Sequence, residues 1–121
     1  DHFKSINDRF SHRVGDEVLR RVGKLLRDSC RRGDVVGRYG GEEFMVVLVE
    51  TPVDLAAAAC EKLRQRIAAL PLDDLHPDLK RVTVSIGLAG TDTDPADADL
   101  IAQADRQLYR AKAEGRDRLC R

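Results

Sequence analysis

The apolar residues fall into runs whose spacing changes from helical to extended and back. Val18, Leu19, Val22, Leu25 and Leu26 recur at the period of an α-helix, with Gly15-Asp16 just ahead as its start and an end near Cys30. Residues 35–39 and 44–49 read as two strands, the second apolar throughout. The short link Gly40-Gly41-Glu42-Glu43 makes them a hairpin whose second strand is buried and central. Ala56, Ala59, Cys60, Leu63 and Ile67 form another helical stripe after Pro52, and residues 70–80 are a polar, proline-bearing connection. Val82, Val84, Ile86 and Leu88 then alternate with Thr83, Ser85 and Gly87, the period of a strand with unlike faces. Beyond an acidic, turn-rich stretch over residues 91–99, Leu100, Ile101, Ala104, Leu108 and Ala111 mark a last helix that stops near Gly115. Residues 118–121 add an edge strand. This order predicts an α/β (α+β) sandwich, with helices covering an antiparallel-rich sheet.

Composition narrows the partners. At 121 residues the chain fits one ordinary domain, 1–121. Acidic and basic residues balance at 21 each, so no global field draws it to nucleic acid or a membrane, and an anionic ligand needs a local cluster. Cys30, Cys60 and Cys120 are far apart and lack C-x-x-C spacing, which argues against a disulfide framework and a zinc site and favours a reducing cytoplasm. No apolar run approaches the roughly 18 residues of a membrane span. The sequence opens on Asp1 without an initiator Met and reads as an excerpt of a longer protein.

The hairpin tip carries the most informative chemistry. Glycines permit positive φ and let a ligand approach the backbone. Adjacent carboxylates at Glu42 and Glu43 repel each other, and a hard divalent cation carrying phosphates would relieve that cost. A solvated acidic turn accounts for the same residues and, on local chemistry alone, is the commoner case.

The segments Asp1-His2-Phe3-Lys4-Ser5-Ile6-Asn7-Asp8, Gly15-Asp16, Arg38-Tyr39-Gly40-Gly41-Glu42-Glu43-Phe44, Val84-Ser85-Ile86-Gly87, and Ala104-Asp105 with Tyr109-Arg110-Ala111-Lys112-Ala113-Glu114-Gly115-Arg116 together resemble the GGDEF domains of diguanylate cyclases. The blocks follow the family's order and spacing over nearly the whole chain, and the hairpin is the G-G-E-E-F form of the signature. The resemblance implies a nucleotidyl-cyclase-like palm fold that condenses two GTP molecules into cyclic di-GMP and pyrophosphate, with Mg²⁺ (or Mn²⁺) as cofactor. It implies Glu42 as metal ligand and key catalytic carboxylate, Glu43 as helper, and Gly40 and Gly41 as room for the phosphates. Asn7 and Asp16 match its guanine readers, and Phe3 is a wall of the nucleotide pocket or plain core. Asp16 could equally cap a helix, and Asn7 could be a turn residue. Lys4, Lys112 and Arg116 match cations near the triphosphate, although the last two also suit the end of a helix, where cations complement the dipole.

Arg31-Arg32-Gly33-Asp34 resembles the family's R-x-x-D inhibitory site, with Arg31 and Asp34 binding cyclic di-GMP and Lys62 where a further arginine often stands. A lysine lacks the bidentate fork, which lowers the expected product affinity. Ser11 replaces a usual glycine, a change expected to be tolerated because a small residue is kept; His12 is read as a structural hydrogen-bonder. The family's first strand, with a metal-binding aspartate two positions before Asp1, is expected upstream. Closing a symmetric ring implies a homodimer, and the parent is expected to carry an upstream sensory or receiver domain, with this domain in the cytoplasm whether or not the parent is membrane-anchored. A non-catalytic cyclic di-GMP or GTP receptor and a bare dimerisation module are the competing readings.

Overall fold

The computed structural model describes residues 1–92 and 99–121, so most of the acidic stretch at 91–99 lies outside the described residues. The order of elements is α1 (Phe3–Phe10), α2 (His12–Ser29), β1 (Val35–Arg38), β2 (Phe44–Val47), α3 (Val53–Ala68), β3 (Ile86–Gly87), α4 (Leu100–Ala113) and β4 (Leu119–Cys120). The chain divides into two compact units, one holding His2–Val49 with Ala69–Val82, the other Asp1, Glu50–Ala68 and Thr83–Arg121.

In the unit built from His2–Val49, α1 packs on α2 and β1 pairs antiparallel with β2 in the register Val35↔Val47 to Arg38↔Phe44. Ile6, Val18, Val22, Leu26, Leu72, Leu79 and Val82 are its buried apolar residues. The helical stripe places α2 correctly, but the helix starts at His12 rather than at Gly15-Asp16. Ser11 is the N-cap and accepts from the Val14 N–H at 3.3 Å. Asp16 therefore sits inside the helix and does not cap it. Ser11 also has φ 101, a conformation suited to glycine, so retaining a small residue does not meet what this position asks. The break there also separates α1, an element the periodicity did not disclose because only Phe3, Ile6 and Phe10 mark its face.

Arg21 fastens α2 to the polar connection. Its guanidinium grips both Asp74 oxygens at 2.8 and 2.6 Å and reaches Glu17 at 3.2 Å. Hydrogen bonds from Arg20 and Arg21 hold the Glu17 carboxyl down at about 2. Strand β2 is not the buried centre expected of it. Its only partner among the described residues is β1, and Val47 stays 47% exposed opposite Val35 at 58%.

In the other unit, Val53, Ala56, Ala57, Cys60, Ile67, Ala111 and Cys120 are buried, so α3 and α4 form where expected but keep only part of their stripes: Ala59 and Ile101 are exposed, and of the α4 stripe Ala111 alone is fully buried. Asp99 caps α4 by accepting from the Ala102 N–H. The alternation over residues 82–88 forms a ladder only at Ile86 and Gly87, because β4, lying parallel, offers partners there alone. A Cβ on Gly87 would stand 2.1 Å from the Ala104 carbonyl, so α4 rests directly on this strand's backbone. Mixed helix and sheet is thus as expected, with one antiparallel and one parallel pair of strands among the described residues. No described helix is long and apolar enough to cross a membrane.

Candidate functional site

The loop of chemistry begins where α1 meets α2. The Asn7 carboxamide lies over Gly15: a Cβ there would stand 1.9 Å from Asn7 Oδ1 and 3.0 Å from Phe3 Cζ. Asn7 Oδ1 is buried and accepts no hydrogen bond from any described residue. A buried acceptor without a partner costs about 1–3 kcal/mol, so this oxygen has room for a donor, from water or from a ligand. Asp16, the residue after Gly15, keeps an exposed carboxylate on the same turn of α2. An acceptor amide and a carboxylate thus share one neighbourhood, suited to a ring edge that presents N–H donors, as guanine's does. Phe3 is half-buried beside them, and Lys4 is exposed on the same helix.

A cleft of about 400 Å³ opens beside Asp16, between α2 and the hairpin, lined by Arg20, Gly23, Arg38 and Phe44 among others. The hairpin itself closes by Tyr39 and Gly40 N–H groups donating to the Glu43 carbonyl at 2.8 and 3.4 Å. Arg38 donates across the turn to the Gly41 carbonyl. This holds the link so that Glu42 is exposed and Glu43 partly so. Gly40 and Gly41 do not use positive φ; their contribution is open space, since a Cβ on Gly41 would meet nothing within 4 Å. Among the described residues no group of three or more His, Cys, Asp or Glu side chains assembles. Glu42 and Glu43 therefore offer carboxylate oxygens to a hard cation but do not complete a cage for one.

At the far end of the hairpin, Arg31 and Asp34 are engaged with each other and with Val49. Asp34 accepts from the Arg31 and Val49 N–H groups at 2.9 and 3.1 Å, while Arg31 Nη2 donates to the Val49 carbonyl at 2.9 Å. The Arg31 N–H, then the Val49 N–H, keep the Asp34 carboxyl below the usual aspartate range. The turn is thereby built in advance, with the Arg31 side chain 63% exposed.

Lys62, Lys112 and Arg116 belong to the other unit. Lys62 is exposed on α3; Lys112 lies in the last turn of α4 and Arg116 just past it, both partly buried. Three contributors escaped the sequence reading. Gly15 supplies clearance for Asn7, and only its place next to Asp16 hinted at it. Arg38 stood within the signature without a role. Asp1 accepts from Thr83 Oγ1 at 3.0 Å, Ser85 Oγ at 2.7 Å and the Asp117 N–H at 3.1 Å, pairings that no local pattern betrays.

Comparison with known proteins identifies the family. Residues 1–118 match the family described as diguanylate cyclase, GGDEF domain. The chain is 41% identical over 119 residues to the diguanylate cyclase DgcM of Escherichia coli K12, covering 98% of this chain and 28% of DgcM. It is 40% identical over 120 residues to the response regulator PleD of Caulobacter vibrioides, covering 97% of this chain and 26% of PleD. Among solved structures, the active GGEEF domain of a diguanylate cyclase from Vibrio cholerae is 39% identical with TM-score 0.83, over 99% of this chain and 76% of that one. The GGDEF domain of DgcB from Caulobacter crescentus, in complex with c-di-GMP, has TM-score 0.88 at 30% identity, over 99% and 71% of the two chains.

Proposed function

The chain belongs to the GGDEF diguanylate cyclase family, and from that premise we propose that its protein condenses two GTP molecules into cyclic di-GMP, with residues 1–121 as one GGDEF domain. The observation that carries the reading is the buried, unpartnered Asn7 Oδ1 beside Gly15 and Asp16, in a chain whose hairpin keeps both signature carboxylates.

In the reaction, the 3′-oxygen of one GTP attacks the α-phosphorus of the other. A P–O bond forms, the bond to the β-phosphate breaks, the hydroxyl proton is lost to base or solvent, and pyrophosphate leaves. A second, symmetric transfer closes the ring. Asn7 and Asp16 orient guanine, with Phe3 as a wall, and the open faces of Gly40 and Gly41 admit the phosphates against the turn. Arg38, by holding the Gly41 carbonyl, keeps Glu42 at the tip. Lys4, Lys112 and Arg116 are proposed phosphate ligands on the strength of the resemblance. The family is metal-dependent; Mg²⁺ or Mn²⁺ is the proposed cation, with Glu42, assisted by Glu43, as its protein ligand here, and it supplies charge stabilisation at the phosphates when bound. Each domain holds one GTP, so two domains must face each other, and a homodimer about a two-fold axis is the economical arrangement. Arg31 and Asp34 form the proposed product-inhibition site, to which Lys62 is assigned on the strength of the resemblance alone. A cytoplasmic location under an upstream sensory or receiver domain accompanies this reading.

The test is GTP turnover with Mg²⁺ by the full-length protein beside Glu42→Ala. Cyclic di-GMP from the first, reduced at least about a hundredfold in the second, supports the cyclase. A folded, dimeric protein that makes none but binds cyclic di-GMP is a receptor instead.

A further inference from the structure

Helix α4 ends in an unusual turn. Gly115 takes φ 121, and the chain stays left-handed through Arg116 at φ 65 and Asp117 at φ 48. Glycine at the first position is ordinary for a helix end, and the Gly115 and Arg116 N–H groups close it on Lys112 and Ala111. Successive non-glycine residues in this region are not ordinary. Each costs free energy that surrounding contacts must offset.

Those contacts come from outside the turn. The Asp117 N–H donates to Asp1 Oδ2 at 3.1 Å, and Asp1 is itself anchored by the Thr83 and Ser85 hydroxyls. Arg64 on α3 grips Asp117 Oδ1 at 2.6 Å and reaches its carbonyl at 3.4 Å. Hydrogen bonds donated to Glu61, then to Asp117, raise the Arg64 guanidinium above its ordinary value, and its side chain is only 18% exposed. Arg118 Nε holds the Arg116 carbonyl at 3.0 Å. Within this net of ties, the Arg116 guanidinium makes no hydrogen bond or ion pair among the described residues, whereas Arg64 and Arg118, which hold the turn, are engaged. A partly buried cation left without an anion, on a backbone strained and pinned, is set to receive one.

The geometry points to a latch in which Asp1 and Arg64, acting on Asp117, are positioning residues that present Arg116 to the triphosphate of the nucleotide. It rests on the reading of Arg116 as a phosphate ligand. The latch predicts which changes separate affinity from stability. Asp117→Gly removes both the strained φ and the Arg64 ion pair, two changes of opposite sign for the melting temperature, whereas Arg116 loses its fixed backbone outright.

The experiment measures dissociation constants for a non-hydrolysable GTP analogue and for guanosine, with melting temperatures, in full-length protein carrying Arg116→Ala, Asp117→Gly or Arg64→Met. Arg116→Ala should weaken the triphosphate analogue about tenfold, the order of one charge-assisted hydrogen bond, and leave guanosine unchanged. Asp117→Gly and Arg64→Met should each weaken the analogue several-fold, spare guanosine, and add nothing once Arg116 is alanine. If Arg116→Ala alone weakens binding, the latch is wrong and the phosphate role stands. If Arg116→Ala has no effect, the phosphate role itself fails. Equal losses for analogue and guanosine would mark general damage and overturn the latch.

Discussion

The Asn7 carboxamide and the Cα of Gly15 are packed so closely that a methyl group on Gly15 would stand 1.9 Å from Asn7 Oδ1. In an ordinary helix interior glycine to alanine gains up to about 1 kcal/mol. Here the clash reverses the sign. Gly15→Ala should destabilise by about 1–3 kcal/mol and raise the KM for GTP more than it lowers kcat, because Asn7 must move. Urea denaturation and steady-state kinetics check both halves, and a gain in stability would refute the packing argument.

Ser11 offers the opposite case. Its φ of 101 strains a side chain that also caps α2. Releasing such strain is worth on the order of 1 kcal/mol, whereas exchanging a serine cap for glycine costs roughly a few tenths. Ser11→Gly should therefore raise the denaturation midpoint, and calorimetry showing a fall would mean that the cap outweighs the strain.

Arg31 and Asp34 should respond differently to removal. Asp34 accepts from two backbone N–H groups, so Asp34→Ala should lose both stability and cyclic di-GMP binding. Arg31 is more exposed, and Arg31→Ala should abolish product binding with a much smaller shift in the urea midpoint. Titration calorimetry beside denaturation separates the two; unchanged product affinity in Arg31→Ala would remove it from the inhibitory site.

Glu17 links acidity to stability. Its folded value of about 2 lies below the ordinary 4.5, so it contributes stability fully above about 4.5 and loses it as pH falls toward about 2. The difference in urea midpoint between wild type and Glu17→Gln should be constant near neutrality and shrink across that acidic window. A difference that persists at about pH 2 would mean the ion pairs with Arg20 and Arg21 are not its source.

The bodies of α2, α3 and α4 were legible because apolar residues recur over several turns of each. The start of α2 was not, although its end near Cys30 was, since Ser11 ends one helix and starts another through its backbone angle rather than its side-chain type. The alternation from Val82 to Leu88 disclosed an extended segment, but a ladder needs a neighbour, and that depended on Leu119 and Cys120. In the site, the signature carboxylates could be read directly. The ties of Asp117 could not, because its partners Arg64 and Asp1 lie 53 and 116 residues away.

The uncovered pair Val35 and Val47 bears on how residues 1–121 taken by themselves behave at high concentration. Branched apolar side chains paired across an exposed hairpin leave a small apolar face, whose self-contact sulfate would strengthen. Self-association measured on these residues alone will thus contain a colloidal component beside any pairing that serves catalysis. Charged side chains at 35 and 47 should remove the first, so any association that survives them has another origin.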